Sequence, residues 1–138
     1  MNKPLLLAVF AALLSINCRA AEASATPSPV TVANGVLQGG LTADGVRYFY
    51  GIPYALPPVS EFRWKEPQPT ANWEGVRMAT QFGPRPEQPP KNWRDMITRA
   101  PSMGEDSLYL NVWTAADSAT AGQPVLVYFH GGGLTAGD

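Results

Sequence analysis

The chain has 138 residues, with 10 Lys and Arg against 11 Asp and Glu and a formal net charge of -1. So even a balance excludes partners held by bulk charge, since nucleic acid or an anionic membrane surface needs a strongly basic patch. The 14 prolines are about twice the usual share, but most are interleaved with Trp, Tyr and Phe, which points to ordered loops and not to a disordered tail.

Lys3, the apolar block Leu5–Leu14 and the small residues after it form the pattern of an export signal. The block is too short to span a bilayer. Cleavage is expected after Ala20 or after Ala23, because Ala21-Glu22-Ala23 fits the small-x-small rule. Residues 1–23 are therefore expected to be a signal peptide and residues 24–138 the exported chain, secreted or periplasmic. Cys18 is the only cysteine. Asn17 precedes it, and Ser15 stands where a lipoprotein signal has Leu, so lipid attachment at Cys18 is disfavoured. After cleavage no thiol remains, and the exported chain must be held by its core.

Ala21–Pro29 is small and polar, a flexible leader. Val30–Leu41 carries Asn34-Gly35 between two short apolar alternations, a hairpin signal. Val46–Tyr50 predicts a further strand entered through Asp44-Gly45. In Gly51–Pro58 three prolines bar helix and central strand alike. This stretch predicts an ordered loop anchored by Tyr54. In Ser60–Pro69, Arg63 stands between Phe62 and Trp64; the residues alone leave it open whether it is a solvated loop arginine or a half-buried ion-pair member. Trp73–Pro90 predicts loop with aromatic anchors. Asn92–Arg99 predicts a short helix with Asn92 as N-cap, stopped by Pro101. Leu108, Leu110 and Val112 alternate with Tyr109, Asn111 and Trp113, a strand pattern, and Ala115–Gln123 is a polar connection.

Pro124–Asp138 closes the chain. Val125–Phe129 is a continuous apolar run between Pro and Gly, the pattern of a strand buried on both faces of a parallel sheet. It runs into His130-Gly131-Gly132-Gly133. Glycines after such a strand let main-chain N–H groups approach a ligand with no Cβ in the way. That is a means of building an anion or oxyanion site from backbone donors. His130 is the sole histidine. It lies inside the turn, where its side chain is better placed to shape the turn than to act as a catalytic base. No Gly-x-Ser-x-Gly elbow, no Cys/His metal spacing and no nucleotide-type phosphate loop occurs.

Four ordered motifs carry a family resemblance. They are Gly51-Ile-Pro-Tyr-Ala-Leu-Pro-Pro; Arg63-Trp-x-x-Pro-x-Pro followed by Trp73-x-Gly; Glu105-Asp-Ser-Leu-Tyr-Leu-Asn-Val; and Pro124–Gly133. Together they resemble the N-terminal part of the type B carboxylesterases, the α/β-hydrolase family that includes the cholinesterases and bacterial para-nitrobenzyl esterases. The resemblance runs from about Val32 to the last residue. It implies an α/β fold, of which this chain is the N-terminal portion: antiparallel β-structure, long Pro-rich loops, then a central strand ending in the glycine turn.

The resemblance also implies roles. Gly132 and Gly133 would donate N–H groups to an oxyanion, with Gly131 and His130 forming the turn. Arg63 and Glu105 match a structural ion pair, which favours Arg63 as a buried pair member. The implied activity is hydrolysis of small-molecule carboxylic esters by a serine nucleophile. No cofactor, nucleic acid or membrane span is expected, and nothing bears on oligomeric state. In the family the nucleophile, acid and base follow the glycine turn, so this segment is expected to be an incomplete domain, inactive alone. A non-catalytic cholinesterase-like binding or adhesion protein, or an inactive truncated remnant, are the alternatives on the same fold. One departure concerns a disulfide. Pro86 and Ser107 stand where the family usually has a cysteine pair, so the loop Glu87–Gly104 is expected to be held by packing alone and to be more mobile.

Overall fold

The computed structural model describes residues 26–88, 102–118, 120–133 and 137. The expected signal peptide and the expected helix Asn92–Arg99 lie outside the described residues. Among the described residues, six strands form two three-stranded sheets: β1 (Val30–Val32), β2 (Gly35–Gln38), β3 (Gly40–Leu41), β4 (Arg47–Pro53), β5 (Val76–Met78) and β6 (Tyr109–Thr114). The first sheet has the order β1-β2-β5 and the second β3-β4-β6.

β1 and β2 make the expected hairpin, with Val30 opposite Leu37 and Val32 opposite Gly35. The reversal lies at Ala33-Asn34, one residue before the expected Asn-Gly pair. The reason is on the far side of the turn. Asn34 Nδ2 donates to Thr70 O (3.3 Å) and to Asn72 Oδ1 (3.1 Å), and Trp73 Nε1 donates to Val36 O (2.9 Å). The segment 70–73 thus grips the hairpin, and Trp73 is the expected aromatic anchor.

Where the sequence predicts loop, the structure has β5. It pairs parallel to β2, with Val36 opposite Val76 and Gln38 opposite Met78. Three residues are too few to show an alternation, and their partner lies about forty positions upstream. β2 and β3 are separated by Gly39, where the chain passes from one sheet to the other. A Cβ at Gly39 would collide with Tyr48 O and the Phe49 ring.

β4 also departs from expectation. It continues through Gly51-Ile52-Pro53, which the prolines were expected to exclude. The ladder to β6 pairs Phe49 with Val112 and then Ile52 with Leu110, so β4 carries one extra residue, a bulge. Gly51 adopts φ 63° there, a conformation open to glycine. Its N–H donates to Asn111 Oδ1 (2.9 Å). Tyr50 N turns away to Ala79 O (2.8 Å), and Ala79 N reaches Gln38 O (2.8 Å). The bulge therefore ties the two sheets together. Pro53 is tolerated because it sits at the strand's end, where a missing donor costs little.

The core lies between the sheets. Leu37, Phe49 and Ala79 are buried, with Val30, Ile52 and Trp73 packed against them. Tyr54 is not the loop's anchor: it is half exposed, and its neighbour Ala55 is the buried residue. The loop is held by Tyr54 N to Leu108 O (3.1 Å) and Leu56 N to Gln68 O (2.9 Å). Arg47 ties the segment before β1 to the segment after β6, donating to Ser28 O (2.9 Å) and Ala116 O (3.2 Å).

The run Val125–Phe129 is the largest correction. It forms no strand, and its side chains are between 67% and 93% exposed. A strand exists only through its ladder partners and a buried one only through covering layers. Among the described residues neither sheet places a strand beside it, and the single helical element is the 3-10 turn Ser60–Phe62.

Candidate active-site turn

The glycine turn follows this bare run. Gly132 has φ 140° and Gly133 φ 64°, both in the region that L-residues with a side chain rarely adopt. A Cβ built at Gly131 or Gly133 would meet nothing within 4 Å, so at Gly133 the need for glycine is conformational and not one of space. His130 Nδ1 lies 2.9 Å from Gly131 O. A carbonyl can only accept, so Nδ1 carries the proton. The imidazole is thereby bonded within the turn.

Gly137 packs against this arrangement. A Cβ on it would overlap both the His130 ring and Gly131 O, and its φ is 131°. Gly137 is in turn held by Gln88. Gly137 N donates to Gln88 Oε1 (2.8 Å), and Gln88 Nε2 donates to Gly137 O (3.0 Å). Composition and periodicity do not single out Gln88. It lies among prolines, and its partner is 49 positions away.

Arg63 and Glu105 form the expected ion pair, at 2.6 Å. The expected burial is not found, since the two side chains are 53% and 42% exposed. The aromatic neighbour that was to cover Arg63 points outward: Trp64 is almost fully exposed and has φ 60°. The pair borders a shallow cleft of about 210 Å³, whose walls include Pro86 and Ser107. The loop that starts there is not held by packing alone. Arg85 and Met103 form a β-bridge, with Arg85 N donating to Ser102 O (3.2 Å) and Gly104 N to Arg85 O (3.0 Å). Tyr109 OH donates to Asp106 Oδ2 (3.0 Å) just beyond. Burial, and then that carboxylate, raise the Tyr109 pKa above its ordinary value.

Among the described residues, no cluster of His, Cys, Asp and Glu could hold a metal ion. Nor is any described helix long and apolar enough to cross a membrane.

The strands, the glycine turn and their order are those of the N-terminal region of an α/β-hydrolase. A solved PNB esterase superposes with a TM-score of 0.71 at 41% identity, covering 81% of this chain and 23% of that one. A carboxylesterase of Geobacillus stearothermophilus superposes with a TM-score of 0.66 at 42% identity, covering 79% of this chain and 20% of its own. The model of the Carboxylesterase family matches residues 26–138, and the chain belongs to that family. The phenmedipham hydrolase of Pseudarthrobacter oxydans is 43% identical over 102 residues, 72% of this chain and 20% of that protein. The para-nitrobenzyl esterase of Bacillus subtilis is 42% identical over 98 residues, 71% of this chain and 20% of that protein. The chain thus spans about a fifth of the length of these curated relatives.

Proposed function

We propose that this chain is the oxyanion-binding, N-terminal part of an exported serine hydrolase acting on small carboxylic esters. The observation that carries the reading is the glycine turn. Gly132 and Gly133 hold positive φ inside a segment that matches the Carboxylesterase family. Their N–H groups would stabilise the negative oxygen that forms when a serine hydroxyl adds to the ester carbonyl carbon. The serine proton passes to a histidine, which returns it to the departing alcohol, and water then releases the acid from the acyl-enzyme. In this reading the serine, the histidine and its orienting carboxylate come from sequence following residue 138, and residues 1–23 are removed on export.

The test is made on the protein expressed from its own gene. Para-nitrophenyl acetate hydrolysis is expected, with loss of activity on treatment with a serine-directed organophosphate. Gly133→Ala is expected to lower kcat by about 100-fold or more while leaving KM within a few-fold. A folded protein without ester turnover, or a Gly133→Ala variant with parental kcat, overturns the proposal.

A further inference from the structure

We propose that Gln88 is a positioning residue for the glycine turn: by clamping Gly137, it fixes the peptide plane that aims the Gly132 N–H. The inference rests on the oxyanion reading of that turn.

The clamp is a matched pair. A primary amide offers one acceptor and two donors, and a peptide group offers one donor and one acceptor. Gln88 uses both kinds of group on the same residue, taking the Gly137 N–H at 2.8 Å and giving an N–H to Gly137 O at 3.0 Å. The primary amides of Gln and Asn carry a donor and an acceptor on separate atoms of one planar group, which suits this two-way pairing. Two simultaneous bonds fix the orientation of the Gly137 backbone as well as its position.

That orientation matters for what lies against it. Gly137 abuts the His130 imidazole and Gly131 O so closely that even a methyl group would not fit. A displaced Gly137 would release His130, whose Nδ1–H holds Gly131 O at 2.9 Å. Gly131 C=O and Gly132 N–H belong to one planar peptide unit and point in opposite directions. Holding the carbonyl therefore aims the amide. The sequence of contacts is Gln88, Gly137, His130 with Gly131 O, and then the Gly132 N–H.

Gln88 is itself on a fixed base. Three residues before it, Arg85 is bonded to Ser102 O and Gly104 N, and Gly104 adjoins Glu105 of the Arg63 ion pair. The stem of the loop after β5 is thus anchored to the segment leading into β6, and Gln88 extends from that stem to the turn.

The decisive variant is Gln88→Met, in the protein expressed from its own gene. Met keeps length and bulk and removes both bonds to Gly137, together with the local bond from Gln88 Nε2 to Pro86 O (3.3 Å). With para-nitrophenyl acetate, kcat is expected to fall about 10- to 100-fold, the cost of a small misplacement of catalytic groups. KM is expected to stay within about two-fold, because the oxyanion exists only after attack. Affinity for a trifluoromethyl ketone, which forms the same oxyanion, is expected to fall in parallel. Gly137→Ala, which pushes on His130 directly, is expected to give the same split. Amide hydrogen exchange supplies a readout independent of turnover. It is expected to quicken at residues 130–133 and 137 in Gln88→Met and to stay parental in β4 and β6. Parental kcat and parental ketone affinity in Gln88→Met overturn the proposal, as does loss of protection spread evenly through β4 and β6. If the parent protein hydrolyses no ester, the oxyanion reading fails by itself. The clamp is then judged on exchange alone, and unchanged exchange at residues 130–133 overturns it.

Discussion

The two sheets and the run Val125–Phe129 are made of the same kinds of residue, yet only the sheets bury any of them. β4 is the more heterogeneous sequence, with an arginine, a glycine and a proline among its seven residues. It is nonetheless a strand, because β3 and β6 supply ladders on both of its sides, while Asn111 Oδ1 and Ala79 O take the Gly51 and Tyr50 N–H groups at the bulge. Val125–Phe129 has the stronger local preference and no partner among the described residues. Apolarity states a demand for burial, and only a neighbouring element can meet it.

Paired substitutions test that contrast on residues 26–138 by denaturant unfolding. Phe49→Ala removes a buried ring from the core cluster, and the expected loss is about 3–5 kcal/mol, as for large-to-small changes in packed cores. Leu126→Ala, in the exposed run, is expected to move stability by less than about 0.5 kcal/mol. Equal effects would mean that the two regions are not different in kind. Arg63→Ala sits between them, since its partner bond is short but half exposed. The expected cost is about 1 kcal/mol or less, shrinking further in molar salt. A loss unaffected by salt would show that packing and not charge is at work.

The smallest effect is a pH slope in the ordered region. The Tyr109 phenol has its pKa raised by burial and by Asp106. The folded chain therefore holds its proton more tightly than the unfolded one. This contribution is fully present below the unfolded value near 10 and is lost as pH rises through the folded value. The denaturation midpoint is expected to fall across that window, and Tyr109→Phe is expected to flatten the fall.

What the sequence disclosed follows from range. The β1–β2 hairpin, the start of β4 and the whole of β6 are written in local alternation and turn residues, and the structure has them. The glycine turn is legible because positive φ leaves a compositional mark. β5 is not legible: Val76–Met78 is a strand only because β2 lies beside it. The continuation of β4 through Pro53 escaped for a related reason, as the bulge that makes it workable depends on Asn111 in another strand. The Arg63–Glu105 pair came from family resemblance, and its exposure was set by the outward turn of Trp64, which no neighbouring residue announces. Gln88 was hidden most completely, because its significance lies in a partner 49 positions away.

The Arg85–Met103 bridge has a kinetic meaning as well. At this point two backbone hydrogen bonds close a loop at whose edge the family resemblance would place a cysteine pair, and Pro86 and Ser107 offer no sulfur. Closure of such a loop proceeds by chain diffusion, on a sub-microsecond to microsecond scale, whereas forming or reshuffling a disulfide takes seconds to hours. Closure through backbone hydrogen bonds needs no oxidant or isomerase and leaves no covalent mispairing to correct.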